Sequence, residues 1–168
     1  MSDNVVSVMT YKSVETILEV GGTQSWAMSR ERAMGCKYAV VCRNASHPDV
    51  EGREAHHSAF MVGKVSDIVP STETEGRWLI LFSEYALVNV AEQFEGRNPV
   101  RFWTTDDYSQ DIDFEALDFK TMPNLERRPV PAPGPVPAAI GMSIAEAKAA
   151  LSIRYEVDPS NIDVIIRG

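Results

Sequence analysis

Residues 58–69, SAFMVGKVSDIV, alternate with period two. Phe60, Val62, Lys64 and Ser66 fall on one face of an extended chain, and Met61, Gly63, Val65 and Asp67 on the other. A polar break, PSTETEG, follows, and then RWLILFSEYALVNV, in which Trp78, Ile80 and Phe82 share one face and Leu79 and Leu81 the opposite one. β-Branched and aromatic residues around a break of Pro, Ser, Thr, Glu and Gly predict two antiparallel strands joined by a hairpin. The second strand is apolar on both faces and is expected to be central in its sheet. Residues 37–43, KYAVVCR, predict a third strand ahead of them.

The flanking segments are shorter and less regular. Val5, Val6, Val8 and Met9 suggest a frayed start or an edge strand over residues 1–10. Residues 13–20 suggest a short helix, with Ser13 as N-cap, Glu15 in the first turn and Gly21-Gly22 as the stop. A second helix is expected over residues 23–34, where Trp26, Arg30, Ala33 and Met34 recur at helical spacing before Gly35. The polar segment 44–57 contains all three histidines, and a loop of that length in a small domain is usually functional or mobile. A turn at residues 96–99 precedes a short strand at 100–103, and the acidic stretch 106–118 suggests a short helix bearing Phe114 and Leu117.

The composition then changes. Residues 127–137 hold five prolines in eleven positions, which reads as an extended polyproline-type spacer. Beyond it, Ser143 and Glu146 form a capping-box signature for a helix running to about Tyr155, and residues 162–166, IDVII, suggest a strand. A helix and one strand bury too little to fold alone, so this tail is expected to dock on the main domain, on another copy or on a partner. The division expected is a barrel domain at 1–123, a Pro-rich linker at 124–141 and an αβ appendage at 142–168.

Net charge is −8, which argues against broad nonspecific nucleic-acid binding. Six carboxylates, however, lie within the thirteen residues 106–118, and leaving them out brings the balance to −2. A local basic groove elsewhere is compatible with that distribution. Cys36 and Cys42 lie six apart on or beside one expected strand, about 20 Å at ~3.3 Å per residue, too far for a disulfide between them. They read as reduced, buried thiols. No apolar run approaches a membrane span, and residues 1–13 show no basic region ahead of an apolar one. A cytoplasmic location of bacterial type is the default expectation.

Signatures of chemistry are sparse. Cys36, Cys42, His47, His56 and His57 contain no C-x-x-C and no helical His pair, so no metal is assigned. There is no G-x-S-x-G, no G-x-G-x-x-G and no P-loop, so no catalytic residue and no cofactor is assigned either. What remains is a set of aromatic, amide and guanidinium groups: Trp26, Arg43, Asn44, Tyr85, Arg97, Asn98 and Trp103. Such groups stack an unpaired base and read its edge. Trp78, amid WLILF, reads instead as core.

The order of pieces also carries a resemblance. QSWAMSRERAMG is followed by KYAVVCRN, AFMVGKVSDIV, GRWLILFSEYA, RNPVRF and a closing acidic segment. Over residues 10–123 this resembles the PUA-like β-barrels and, among them, the EVE group. The resemblance implies an α+β fold, a small mixed barrel with short helices. It also implies a concave pocket that takes nucleic acid, often a modified base flipped into an aromatic cage. By position, Trp26 would be a pocket wall and Arg43 and Asn44 would lie near its mouth. The expected function is therefore a non-catalytic module that binds a nucleobase or modified nucleotide. The alternative is an acidic interaction or regulatory protein that docks a partner through the barrel surface or residues 142–168. A small enzyme using the histidine loop is a third reading.

Overall fold

The computed structural model describes residues 2–123 and 144–161. The chain divides into two compact units, 1–132 and 133–168. The first is a mixed α+β unit made mostly of strands. Its strands are β1 (Asn4–Thr10), β2 (Gly22–Trp26), β3 (Tyr38–Arg43), β4 (Ala59–Pro70), β5 (Trp78–Val90), β6 (Val100–Thr104) and β7 (Lys120–Thr121). Its helices are α1 (Val14–Val20) and α2 (Arg30–Met34), with a 3-10 turn at Thr105–Tyr108.

The strands form one curled half-barrel sheet in the order β2-β5-β4-β3-β1-β6, with β7 added to β5. The expected β4–β5 hairpin forms, closed by Ser71 N–H donating to Arg77 O at 2.9 Å. The Gln24 side-chain oxygen on β2 accepts from Ser71 Oγ, Thr72 N and Thr72 Oγ1, which pins the turn to the neighbouring strand. The register between β4 and β5 shifts at three places, and such bulges bend and twist a sheet. Gly63 sits at the bend. A Cβ there would fall 2.5 Å from three atoms of the Phe82 ring, so the aromatic covers bare backbone.

Alternation along the strands sorts the core into two clusters. Val6, Val8, Ala39, Val41, Ile80 and Phe82 join Ile17 of α1 and Ala33 of α2 in one. Val5, Tyr38, Val40, Cys42 and Val62 meet Phe94, Tyr108, Ile112 and Phe114 in the other. Both faces of β3 are thus covered, and all six of its residues are buried. The Trp78–Phe82 half of β5 lies between β2 and β4, as its two apolar faces predicted.

Three expectations are corrected. β1 is not an edge: it lies between β3, to which it is parallel, and β6. Its valines at 5, 6 and 8 are fully buried because sheet covers it on both sides. The helix expected over 23–34 is confined to Arg30–Met34. Residues 22–26 pair instead with β5, and Ser25 adopts φ 75°, which no right-handed helix permits. The helix starts only where Ser29 caps it, its Oγ accepting from Arg32 N at 3.2 Å. Finally, the acidic stretch 106–118 forms a short 3-10 turn and further turns rather than a helix, with Ile112 and Phe114 plugged into the second cluster.

α1 follows its sequence signals. Ser13 Oγ accepts from Thr16 N, and Gly21 ends the helix at φ 95°. In the second unit, α3 (Ile144–Tyr155) leads to a 3-10 turn at Pro159–Asn161, where Asp158 accepts from Ser160 N and Oγ. Those two bonds, the side-chain one first, hold the Asp158 carboxyl below its ordinary range. The proline-rich segment 124–141, Ser143 of the expected capping box and the expected strand 162–166 lie outside the described residues. Among the described residues, no helix is long and apolar enough to cross a membrane.

A candidate arginine-aromatic cleft between α2 and β6

Trp26, expected to be a half-exposed pocket wall, is a core residue. It is 7% exposed, belongs to the first cluster, pairs across strands with Trp78, and spends its indole N–H on Thr23 Oγ1 at 3.1 Å. Arg43 is not at a mouth either. It is fully buried, its Nε donates to Glu54 at 2.9 Å, and its Nη1 donates to the carbonyls of Thr10 and Lys12 at 3.2 and 2.6 Å. The guanidinium lies 4.1 Å above the Phe60 ring. Asn44 is half-buried; its backbone N–H goes to Thr10 O and its side-chain oxygen accepts from Ser46 N. These residues anchor the start of loop 44–57. Glu51 anchors its middle by accepting from Ser13 N and Thr16 Oγ1, and the Ser13 bond, foremost, holds its carboxyl below the ordinary range. The loop's His47 stacks on Tyr11 at 3.9 Å, and His56 and His57 lie ring to ring at 4.0 Å. Among the described residues, no three His, Cys, Asp or Glu side chains gather as a metal set. Tyr85 is half-buried on β5 opposite Gly63, at the margin of the first cluster.

Arg97 and Asn98 do come together with other polar groups. They line a cleft of about 520 Å³ with Ala27, Met28, Arg32, Val100, Arg101 and Phe102. α2 supplies Arg32 from its last turn, and the guanidinium lies 4.3 Å over the Phe102 ring of β6. The helix is held to the sheet through Ala33 and Cys36, whose thiol donates to Arg32 O. Burial pushes the Cys36 thiol up to about 11, against the opposing pull of the Arg32 charge.

The turn before β6 is equally determined. Gly96 has φ 90°, and a Cβ on it would sit 2.2 Å from Arg101 Nη1. A glycine here thus lets Arg101 fold back to donate to Glu95 O, with its guanidinium 5.2 Å over Trp103. Asn98 Oδ1 accepts from Val100 N at 3.1 Å, and Met9 N donates to Pro99 O at 3.0 Å, tying the turn to β1. Trp103 is half-buried and lines an adjoining hollow of about 220 Å³ that shares Arg32 and Phe102 with the cleft.

Charge sets this cleft apart. The five ion pairs among the described residues use Lys12, Arg30, Lys37, Arg43 and Lys64. Arg32, Arg97 and Arg101 have no carboxylate partner there, and no carboxylate lines the cleft. Two other hollows are acidic, one with Glu92, Glu95, Asp107 and Asp111, the other with Asp3, Asp113 and Glu115. Three guanidiniums without carboxylate partners beside an aromatic ring have the chemistry to hold an anion that carries a flat ring. The sequence reading included Arg97, Asn98 and Trp103 but passed over Arg32, Arg101 and Phe102. The strings SRER and RNPVRF contain all three, and no local signal shows that these strings meet. No family profile, no curated protein and no solved structure matches the chain.

Proposed function

We propose that the first unit is a non-catalytic nucleic-acid-binding module of PUA-like type. Its site is the cleft between α2 and β6. The observation that carries the reading is the convergence of Arg32, Arg97 and Arg101, without carboxylate partners, in a chain of net charge −8. Phosphates are the common acceptor for such a group, and Arg32, held over Phe102, leaves its N–H groups free for the edge of an unpaired base. Three arginines without carboxylate partners gather in this one cleft of a chain of net charge −8, which favours a single strand over the broad face of a duplex.

The test is an anisotropy titration of the full chain with labelled single-stranded and duplex DNA and RNA across salt. Phosphate contacts from Arg97 and Arg101 on a single strand predict a slope of log K against log salt of about −1.4, at about −0.7 per contact. Replacing Arg97 or Arg101 with Ala is expected to flatten the slope by about 0.7, and replacing Arg32 with Ala to weaken binding. Absence of binding, or binding indifferent to all three replacements, sinks the reading.

The two acid-lined hollows favour a second reading, an interaction protein that engages a basic partner. It predicts that Asp107→Asn and Asp111→Asn weaken partner binding and that the arginine replacements do not.

A further inference from the structure

We infer that the cleft selects guanine; this rests on the nucleic-acid reading above. The polar side chains that line it are three arginines and one asparagine, so donors far outnumber acceptors. Guanidinium groups only donate, and Arg32, Arg97 and Arg101 are three of the lining residues. Asn98 has both functions, but Val100 N–H holds one lone pair of its oxygen and so turns that oxygen toward the backbone of the turn, leaving the NH₂ as its unpaired group. Arg101 has one nitrogen committed to Glu95 O. Arg32 has no hydrogen-bonding partner for its guanidinium among the described residues, and that guanidinium lies 4.3 Å over the Phe102 ring. The in-plane fork of N–H groups is then its donor surface.

A donor-rich site takes phosphate from every nucleotide equally, so phosphate positions the strand and the base decides. Guanine presents O6 and N7 as adjacent acceptors, the pair that an arginine fork matches. Adenine places an amino donor beside N7, and thymine offers one oxygen beside a methyl; unpaired cytosine has an O2/N3 acceptor pair, but O2 lies next to the glycosidic bond, where the strand's own sugar crowds the approach. An amino group facing Arg32 and the Asn98 NH₂ sets donor against donor. We therefore assign Arg32 to the guanine O6/N7 edge, and Arg97 with the remaining N–H groups of Arg101 to phosphate.

The test uses the full chain and labelled thymidine octamers with one central position changed to guanine, adenine, cytosine or 7-deazaguanine. The guanine oligomer is expected to bind about fivefold or more tighter than the others, the gain typical of one bidentate pair. The 7-deaza analogue, which lacks N7, is expected to fall to the adenine level. Arg32→Gln, whose amide matches the adenine N6/N7 edge, is expected to abolish the guanine preference, an outcome that a merely electrostatic Arg32 does not produce. Equal binding of all central bases, preference for adenine or cytosine, or full binding of 7-deazaguanine overturns the inference and leaves the nucleic-acid reading standing. If no oligomer binds, both fall.

Discussion

Replacing Arg43 with Met separates a structural arginine from a ligand contact. Arg43 is fully buried and makes three hydrogen bonds, to Glu54 and to the Thr10 and Lys12 carbonyls. Hydrogen bonds to a charged group are worth about 1.5–3 kcal/mol each, so the gross loss is several kcal/mol. Methionine refills part of the volume over Phe60. Glu54 is 30% exposed at its side chain and recovers solvation, which trims the loss further. The Lys12 carbonyl is left unpaired beneath the loop, whereas Thr10 O keeps its bond from Asn44 N. Breaking a buried ion pair from one side typically costs about 3–5 kcal/mol, and the lower half of that range is expected here. Against a total stability of about 5–15 kcal/mol this is a large share. In urea, with a slope of about 1–3 kcal/mol per molar, the midpoint should fall by about 1–4 M. A double-mutant cycle with Glu54→Gln should return a coupling well above the ~0.2–1 kcal/mol of exposed pairs. Arg43→Met that folds within about 1 kcal/mol of the parent yet loses nucleic-acid binding refutes the reasoning and returns Arg43 to the site.

Gly63→Ala drives a methyl into the face of Phe82, which is 1% exposed and cannot retreat. It is expected to cost at least 1–3 kcal/mol by chemical denaturation. Relief by Phe82→Leu in the same chain checks the cause. Glu92 is exposed at φ 56°, a conformation glycine adopts without strain; Glu92→Gly should raise the urea midpoint by the equivalent of about 0.5–1 kcal/mol. Burial pushes the Cys42 thiol up to about 12 and Cys36 up to about 11. Both are raised relative to the unfolded chain, so their contribution is whole below about pH 8.5 and is lost as pH rises toward 11–12, at up to ~1.4 kcal/mol per pH unit for each thiol. Stability measured from pH 7 to 11 should stay level and then fall, and Cys42→Ser should flatten that fall. A decline that starts below pH 8 contradicts this origin.

Local pattern carried the hairpin, β3 and α1. Each is specified by residues within one or two turns: alternation across residues 58–90, the near-continuous apolar run at 38–43, and the Ser13 and Gly21 caps. Composition was also enough to show that a basic groove, if present, had to be local in a chain of net charge −8. Tertiary structure decided the rest, because the deciding partners are far off in sequence. β1 is interior only because a parallel partner, β3, arrives some thirty residues later, across α1, β2 and α2. Residues 22–26 are strand because β5 offers an edge that outweighs their helical spacing. The same reasoning divides the arginines. Arg43 and Arg97 each precede an asparagine beside a strand, and the sequence treats them alike. One is sealed under Glu54 and two carbonyls, and the other stands exposed with Arg32 and Arg101 in the cleft. Whether a guanidinium is spent within the fold or left for a ligand depends on which acceptors the chain brings back to it, and that is settled by packing rather than by neighbours in sequence.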